Sequence, residues 1–535
     1  MFGYASSAFV LLAVFVAWTF IKSKLRKRRN SEKAAALGCL SPPVLRSTNF
    51  IGNSILRESL RATREDRGPQ YVAEKMDSIS PNCHTIKVPI IDYEILVTRD
   101  PENARALFTS ADFDISHHRQ LSWMPLLGKG VFTSRGDIWK HSRALLRPQF
   151  ARDMISDPQL EEHHLQNLWG LLSADPTTGW TQKVDLAPLF FRFTLDTSTE
   201  FIFGRSANSL LWKSSSEKGL SDDDKRKGDL SGHFNAAKVW IDKRGALAKF
   251  YWLMNSREFS EHCAAIHQFA DGLVADRLAR SSFEKTGGSD PEKGGAPDGG
   301  RFNLLNELAK ETQDPRELRN ETLHVLIAGR DTTGCLLGWV LYFLARHPQV
   351  YARLRRDVLE RYGDDRSPPM DLRALGGQQQ LPYLQWVINE ALRVATVIPL
   401  NERIALRDTV LPRGGGPDGT APVFVPEGTQ VLIPLYAMQH RKDLWGPDAD
   451  EFRPERWETH RPGWEYIPFG AGARKCLGQQ FGRQEVSYVV ARFCQKYDNI
   501  ENMEEGDGRI RLHHAIENRS GTGVQVRLHE ARTSA

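Results

Sequence analysis

One cysteine, set among small residues and cations, has the surroundings for unusual chemistry. Phe469–Gly478 reads FGAGARKCLG, and Cys476 within it reads as the thiolate ligand of a haem iron. A thiolate donates enough electron density to iron to favour O–O cleavage, and backbone N–H groups in a tight loop can hold its charge. Gly470, Gly472 and Gly478 allow a sharp turn and close approach to a flat macrocycle. Arg474 can pair with a haem propionate through a charge-assisted bond. The spacing Phe469, Gly472, Arg474, Cys476, Gly478 is specific; a glycine-rich turn around a buried structural cysteine is the plainer alternative.

Two further groups could do chemistry. Ala328-Gly329-Arg330-Asp331-Thr332-Thr333 puts a glycine and hydroxyls inside a helical pattern, which is locally unfavourable and is the kind of rule-breaking expected at a functional site. A kinked core helix whose threonines bond back to their own carbonyls is the alternative. Glu390 and Arg393 stand three apart on a helical face and can pair, which means little if the pair is exposed.

Together these residues resemble the cytochrome P-450 superfamily, whose haem signature is matched by Phe469, Gly472, Arg474, Cys476 and Gly478. The Ala-Gly-x-Asp/Glu-Thr and Glu-x-x-Arg motifs are matched at 328–332 and 390–393, in the superfamily's order. The resemblance implies that Thr332 hydrogen-bonds the dioxygen being reduced, that Asp331 feeds it protons, and that Gly329 lets the helix open there. It implies that Trp139 and Arg143, and with them Arg474, hold the propionates, Phe469 and Gly470 belonging to the same cofactor loop. It implies that Glu390, Arg393 and Arg456 form a buried structural triad. Trp123, Leu126, His324, Val325, Ala328, Val397, Ile398 and Leu400 are candidate pocket residues for a hydrophobic small molecule.

Long elements must position these groups. Asp314-Pro315-Arg316-Glu317 starts a helix that continues to Arg346, about 33 residues and roughly 50 Å. Pro382 starts the helix that bears Glu390, and Gly478 opens the last long one. His233–Lys249 and Glu258–Arg280 read as two helices whose counterparts in the superfamily cover the substrate channel. Between them, Phe250–Met254 is either core or a contact with the bilayer. Trp139 and Arg143 share one helical face. Phe113–Thr133 reads as irregular, either a cover over the pocket or a packed surface loop. Thr85–Val88 and Glu94–Thr98 read as a hairpin around Ile91-Asp92, Asp100-Pro101 as a helix start, and Val423–Pro434 as two strands around Pro426-Glu427-Gly428. Lys213–Gly232 and Glu284–Arg301 read as flexible surface segments. The expected fold is mostly α with small β-sheets (α+β).

In 535 residues, 71 Lys and Arg against 66 Asp and Glu leave +5, without the clustered basic face of a nucleic-acid binder. The six cysteines lie far apart with no C-x-x-C pair, which argues against zinc and a disulfide framework. Phe2–Ile21 is uncharged and long enough to span a bilayer, and Lys22–Arg29 holds six cations. The expected organisation is a transmembrane anchor at 1–21, a basic stop-transfer segment and Pro hinge at 22–48, and a single haem domain at 49–535. The basic cluster follows the apolar run, which favours an anchor over a cleaved signal peptide and puts the large domain in the cytosol. The resemblance then implies a single-pass monooxygenase of the endoplasmic reticulum, with haem b and with NADPH-cytochrome P-450 reductase as its electron source. Lys140 and Lys475 are candidates for the docking face.

Val131–Phe150, Gly329–Thr333 and Pro399–Asp418 resemble the fungal alkane- and fatty-acid-hydroxylating branch, which implies oxidation at or near the end of an alkyl chain. Two departures stand against a plain fatty acid: Val394-Ala395-Thr396 replaces the branch's Leu-Tyr-Pro, and His324 adds a polar group. A polyketide or other secondary metabolite with an alkyl tail is the alternative. A haem-thiolate isomerase or dehydratase and a haem sensor without turnover are the rival classes.

Overall fold

The computed structural model describes residues 14, 18, 21, 22, 24–46, 54–79, 82, 84–90, 93–151, 157–211, 230–285, 302–366, 369–371, 375 and 380–532. The expected anchor, residues 1–21, lies outside them apart from 14, 18 and 21, as do Ile91 and Asp92, nearly all of Lys213–Gly232 and most of Glu284–Arg301. Among the described residues no helix is long and apolar enough to cross a membrane. The chain divides into two units.

The smaller unit takes residues 71–114 and 401–434 together with the N-terminal part of the chain. Thr85–Ile90 pairs antiparallel with Tyr93–Thr98, Thr85 opposite Thr98. Gln430–Pro434 joins parallel to Tyr93–Thr98, and Leu400–Ala405 and Phe113–Asp114 complete five strands. The two strands expected around Pro426–Gly428 form, but they do not pair with each other: Ala421–Val425 pairs with Thr409–Gly415. Helix α1 (Pro101–Thr109) starts as its sequence indicates, with Asp100 accepting from the N–H groups of Glu102 and Asn103. Asn103 is fully buried and satisfied, its amide donating to Thr98 Oγ1 at 3.0 Å and Arg413 O at 2.8 Å. A buried amide without such partners would be costly.

The larger unit is helical. Its main helices are α2 (His117–Leu127), α3 (Gly136–Leu146), α4 (Pro158–Trp169), α5 (Leu186–Phe203), α6 (Leu230–Ala246), α7 (Arg257–Lys285), α8 (Leu304–Glu311), α9 (Pro315–Arg346), α10 (Pro348–Tyr362), α11 (Pro382–Val394) and α12 (Gln479–Lys496). Helix α9 crosses the core, capped by Asp314 onto Arg316 N. It packs closely on α5 because small residues face it. A Cβ at Gly334 would meet Phe191 at 3.0 Å, and one at Gly329 would meet Ser198 Oγ at 3.0 Å. Thr194 Oγ1 donates to Arg330 O at 2.7 Å across this interface. Farther along α9, Phe343 stacks on Phe452 at 4.4 Å, inside a core that also holds Phe190, Trp339, Val486, Phe493 and Tyr497.

The segment Phe113–Thr133 is not irregular. It contains α2, capped by Ser116 onto Arg119 N. Pro125 obscured this helix in the sequence, because proline usually ends helices; here it stands in the last turn.

Candidate active site

The cysteine loop is built by two glycines in the left-handed region, Gly470 and Gly472, both at φ 65°, a conformation costly to residues with a Cβ. Cys476 N–H donates back to Phe469 O at 3.0 Å and closes the loop. Phe469 itself packs against the large core. The Cys476 surface is open, although the residue sits deep among protein atoms. Burial pushes its thiol pKa up, while the Gly478 N–H, Arg143 and Lys475 pull it back. A cation at the sulfur would remove that proton outright.

Three donors gather beside this loop. The Arg474 guanidinium lies 4.4 Å from the Trp139 ring centre and that of Arg143 lies 5.9 Å from it. Arg474 donates to Ser134 O at 2.9 Å, and Arg143 to Lys475 O at 2.9 Å. Burial lowers the Arg143 pKa and Arg147 lowers it further, while Cys476 opposes the shift. No carboxylate pairs with Arg143 among the described residues, and Trp139 Nε1 is buried with no hydrogen-bond partner. An indole N–H and two guanidinium groups, with a lone open thiol beside them, are the donor set that a haem with two propionates requires. The residues present therefore fit that group.

Helix α9 carries the next group of candidate residues. Between Glu321 and Ala345 it is fully buried except at Val325, Ala328, Gly329 and Thr332. The spacing i, i+3, i+4, i+7 is one helical face, so a single stripe of α9 faces open space. The helix continues unbroken through Gly329, whose lack of a side chain serves the contact with Ser198. Thr332 Oγ1 donates back to Ala328 O at 2.7 Å, the bond expected of a mid-helix threonine.

Asp331 lies off the stripe and is fully buried. Arg330 Nη1 is 2.7 Å from its Oδ1 and Lys238 Nζ is 3.2 Å from its Oδ2. Lys238 also reaches Glu517 Oε2 at 2.5 Å. Burial would lower the Lys238 pKa, but Asp331 and Glu517 overcome it and raise the value. Arg330 also donates to Ser231 Oγ at 2.8 Å and Asn235 Oδ1 at 2.9 Å on α6. Lys238, Glu517 and these α6 partners had no local signal in the sequence. They come from elements distant along the chain, and only the fold brings them to Asp331.

Glu390, Arg393 and Arg456 meet around one carboxylate. Arg393 binds Glu390 through two bonds of 3.0 and 2.8 Å, and Arg456 Nε reaches the same carboxylate at 2.8 Å. Trp457 Nε1 and Arg453 N also donate to Glu390, each at 2.9 Å. All three triad members are buried, so the charges are both paired and hydrogen-bonded, as burial demands.

The candidate pocket residues divide. Val325 and Ala328 lie on the open stripe; Trp123, Ile398 and Leu400 are half-buried, and Val397 is nearly enclosed. Leu126 and His324 are wholly enclosed by protein. His324 accepts from Phe132 N at 3.3 Å and lies 3.5 Å from Thr133 Oγ1. Burial drives its pKa down to about 3, so it is a neutral brace between α9 and the 128–133 loop and presents no polar group to the open face. Thr396 is likewise turned inward, donating to Arg393 O at 3.3 Å and accepting from Gln439 at 2.6 Å.

Comparison with known proteins agrees with this geometry. The family model described as Cytochrome P450 matches residues 84–513. A relative from Fusarium sp., "Cytochrome P450 monooxygenase g430", is 38% identical over 96% of this chain and 88% of its own. "Cytochrome P450 52A13" of Debaryomyces hansenii is 35% identical over 93% of each chain. The solved cytochrome P450DA heme domain superposes with a TM-score of 0.72 over 92% of this chain and 98% of its own, at 21% identity, which establishes the likeness of fold. With the family goes a haem whose iron takes a cysteine thiolate, and the chain belongs to the cytochrome P450 family as a monooxygenase.

Proposed function

We propose that this monooxygenase hydroxylates an alkyl chain, a fatty acid or alkane, at or near its end. The observation that carries this reading is the open face of α9, where the side chains of Val325 and Ala328 offer apolar surface beside the single hydroxyl of Thr332. An apolar wall with one polar group suits an unfunctionalised hydrocarbon, because it leaves no buried donor or acceptor unmatched. Both sequence departures that spoke for a more polar substrate, His324 and Thr396, are spent on internal hydrogen bonds. The three stretches resembling the alkane- and fatty-acid-hydroxylating branch, and the identity with the yeast 52A relative, support the same reading.

Cys476 would hold the haem iron, and Trp139, Arg143 and Arg474 the propionates. Bound haem, with electrons from NADPH through a flavoprotein reductase, supplies the activation of O2 that puts one oxygen atom into a C–H bond and releases the other as water. Thr332 presents a hydroxyl at the open face, able to donate there when it leaves Ala328 O. Asp331 is the neighbouring carboxylate from which protons would reach it. Arg330 and Lys238 hold Asp331 away from the stripe and tie it to α6, a helix expected to cover the substrate channel. Residues 1–21 would anchor the chain in the endoplasmic reticulum membrane, 22–48 would link, and 49–535 would form the cytosolic catalytic domain. The exposed Lys140 and Lys475 would face the reductase, and exposed Phe250, Trp252 and Leu253 would touch the lipid bilayer.

The test is to incubate microsomes carrying enzyme and reductase with NADPH and alkanes or fatty acids of twelve to eighteen carbons. Terminal or near-terminal alcohols are expected. No product and no substrate-induced spin shift at any chain length would exclude plain alkyl substrates and turn the search to secondary metabolites with alkyl tails.

A further inference from the structure

Helix α2 lacks a backbone bond that another helix replaces. Residue 125 is proline and has no N–H, so Leu121 O cannot receive the usual bond from four residues on. Arg244, in the last turn of α6, supplies donors instead. Its Nη2 donates to Leu121 O at 3.0 Å and its Nε to Ser122 O at 3.1 Å. The same guanidinium donates to Asn255 Oδ1 beyond α6 and lies 5.1 Å from the Tyr251 ring centre. At the end of α2, where carbonyls run out of intrahelical donors, Leu126 O lies 2.7 Å from His267 Nε2 on α7. A carbonyl only accepts, so Nε2 carries the proton.

Arg244 is buried, and its partners are carbonyl oxygens, an amide and aromatic rings. The negative carbonyl end of α2 stands where a counter-ion would. Helix α2 is in turn seated on α9. A Cβ at its C-cap, Gly128, would meet the Asn320 amide at 2.5 Å. Trp123 on α2 lies 6.5 Å from Phe132, and Phe132 lies 5.5 Å from His324, the residue before Val325. Arg319 on α9 pairs with Asp271 on α7 at 3.2 Å. The same three helices that meet α9 are therefore tied to one another through the carbonyls of α2. We propose that Arg244 and His267 are positioning residues that clasp α2 to α6 and α7. The clasp closes one side of the approach to the open α9 stripe and limits how fast a long ligand reaches the haem. This rests on the stripe facing the substrate, but not on which alkyl compound is oxidised.

The test uses the full-length holoenzyme in detergent, with amide exchange of α2 and stopped-flow binding of imidazole and 1-dodecylimidazole. Both azoles ligate haem iron and shift its Soret band, whatever the enzyme oxidises. Loss of a hydrogen bond from a charged donor is worth about tenfold or more, so Arg244→Met should speed α2 exchange by that factor. It should raise both rate constants of 1-dodecylimidazole similarly and leave those of imidazole unchanged. Pro125 is exposed, and Pro125→Ala returns an N–H to Leu121 O. The Pro125→Ala/Arg244→Met double variant should therefore regain much of the α2 protection and slow the long azole again. His267→Ala should act as Arg244→Met does, and it carries the test if Arg244→Met loses haem. Unchanged α2 exchange in these variants, or equal acceleration of both azoles, overturns the proposal.

Discussion

Lys238 Nζ sits 3.2 Å from Asp331 Oδ2 and 2.5 Å from Glu517 Oε2, so one buried ammonium bridges the α9 acid and the C-terminal segment. Removing one partner of a buried ionic group costs about 3–5 kcal/mol, because the remaining charge is left uncompensated. Lys238→Met should therefore destabilise the enzyme by about that much, and adding Glu517→Gln should recover a large part. Denaturant titration of the single and double variants measures the coupling; strictly additive effects would show that the bridge is not energetically real.

Cys476→Ala should fold, since the loop is closed by the Cys476 N–H to Phe469 O bond rather than by the sulfur. The reduced carbon-monoxide complex should lose the far-red-shifted Soret band of thiolate ligation. A surviving band would mean that another residue binds the iron.

Trp139→Phe keeps the ring stacked by Arg474 but deletes the buried, unpartnered Nε1–H. Losing one hydrogen bond to a charged group costs about 1.5–3 kcal/mol, or roughly tenfold to a hundredfold in haem retention. Transfer of haem to apomyoglobin gives the rate. An unchanged rate would remove Trp139 from the propionate site.

Thr332→Ala removes the sole hydroxyl of the open α9 stripe. Substrate affinity should hold while product formed per NADPH consumed falls and peroxide rises, as when an interaction made late in a cycle is lost. An unchanged ratio of product to NADPH would free Thr332 of any part in proton transfer.

Burial lifts the Glu485 pKa to about 8, against the opposing bond from Thr197 Oγ1 at 2.7 Å. Its folded value lies above its unfolded one, near 4.5. Its contribution to stability is therefore fully present below pH about 4.5 and is lost as pH rises toward about 8. Glu485→Gln cannot ionise. From pH 5 to pH 8 the unfolding temperature of the wild type should fall relative to that of the variant. A constant difference across this range would mean that Glu485 ionises freely in the folded protein.

The cofactor loop, the α9 hexapeptide and the Glu390–Arg393 pair were legible in the sequence because their chemistry is local. Left-handed glycines, a cysteine seven residues from its loop's start and charges three apart on a helix are constraints within one stretch of chain. Helix boundaries at Asp100, Asp314 and Pro382 were legible for the same reason, since caps and prolines act on their own first turn. The helix hidden by Pro125 was not, because tertiary packing overrides a breaker in a last turn. Tertiary structure alone decided which groups are spent and which are free. Only the fold encloses His324, a polar residue one turn from the open stripe, against Phe132 and Thr133, leaving that face apolar. Only the fold pairs Asp331 with Lys238, which lies 93 positions earlier in the chain, and with Arg330 rather than with solvent. A sequence states what each side chain can do; burial and the partners within about 3 Å determine which of those things it does.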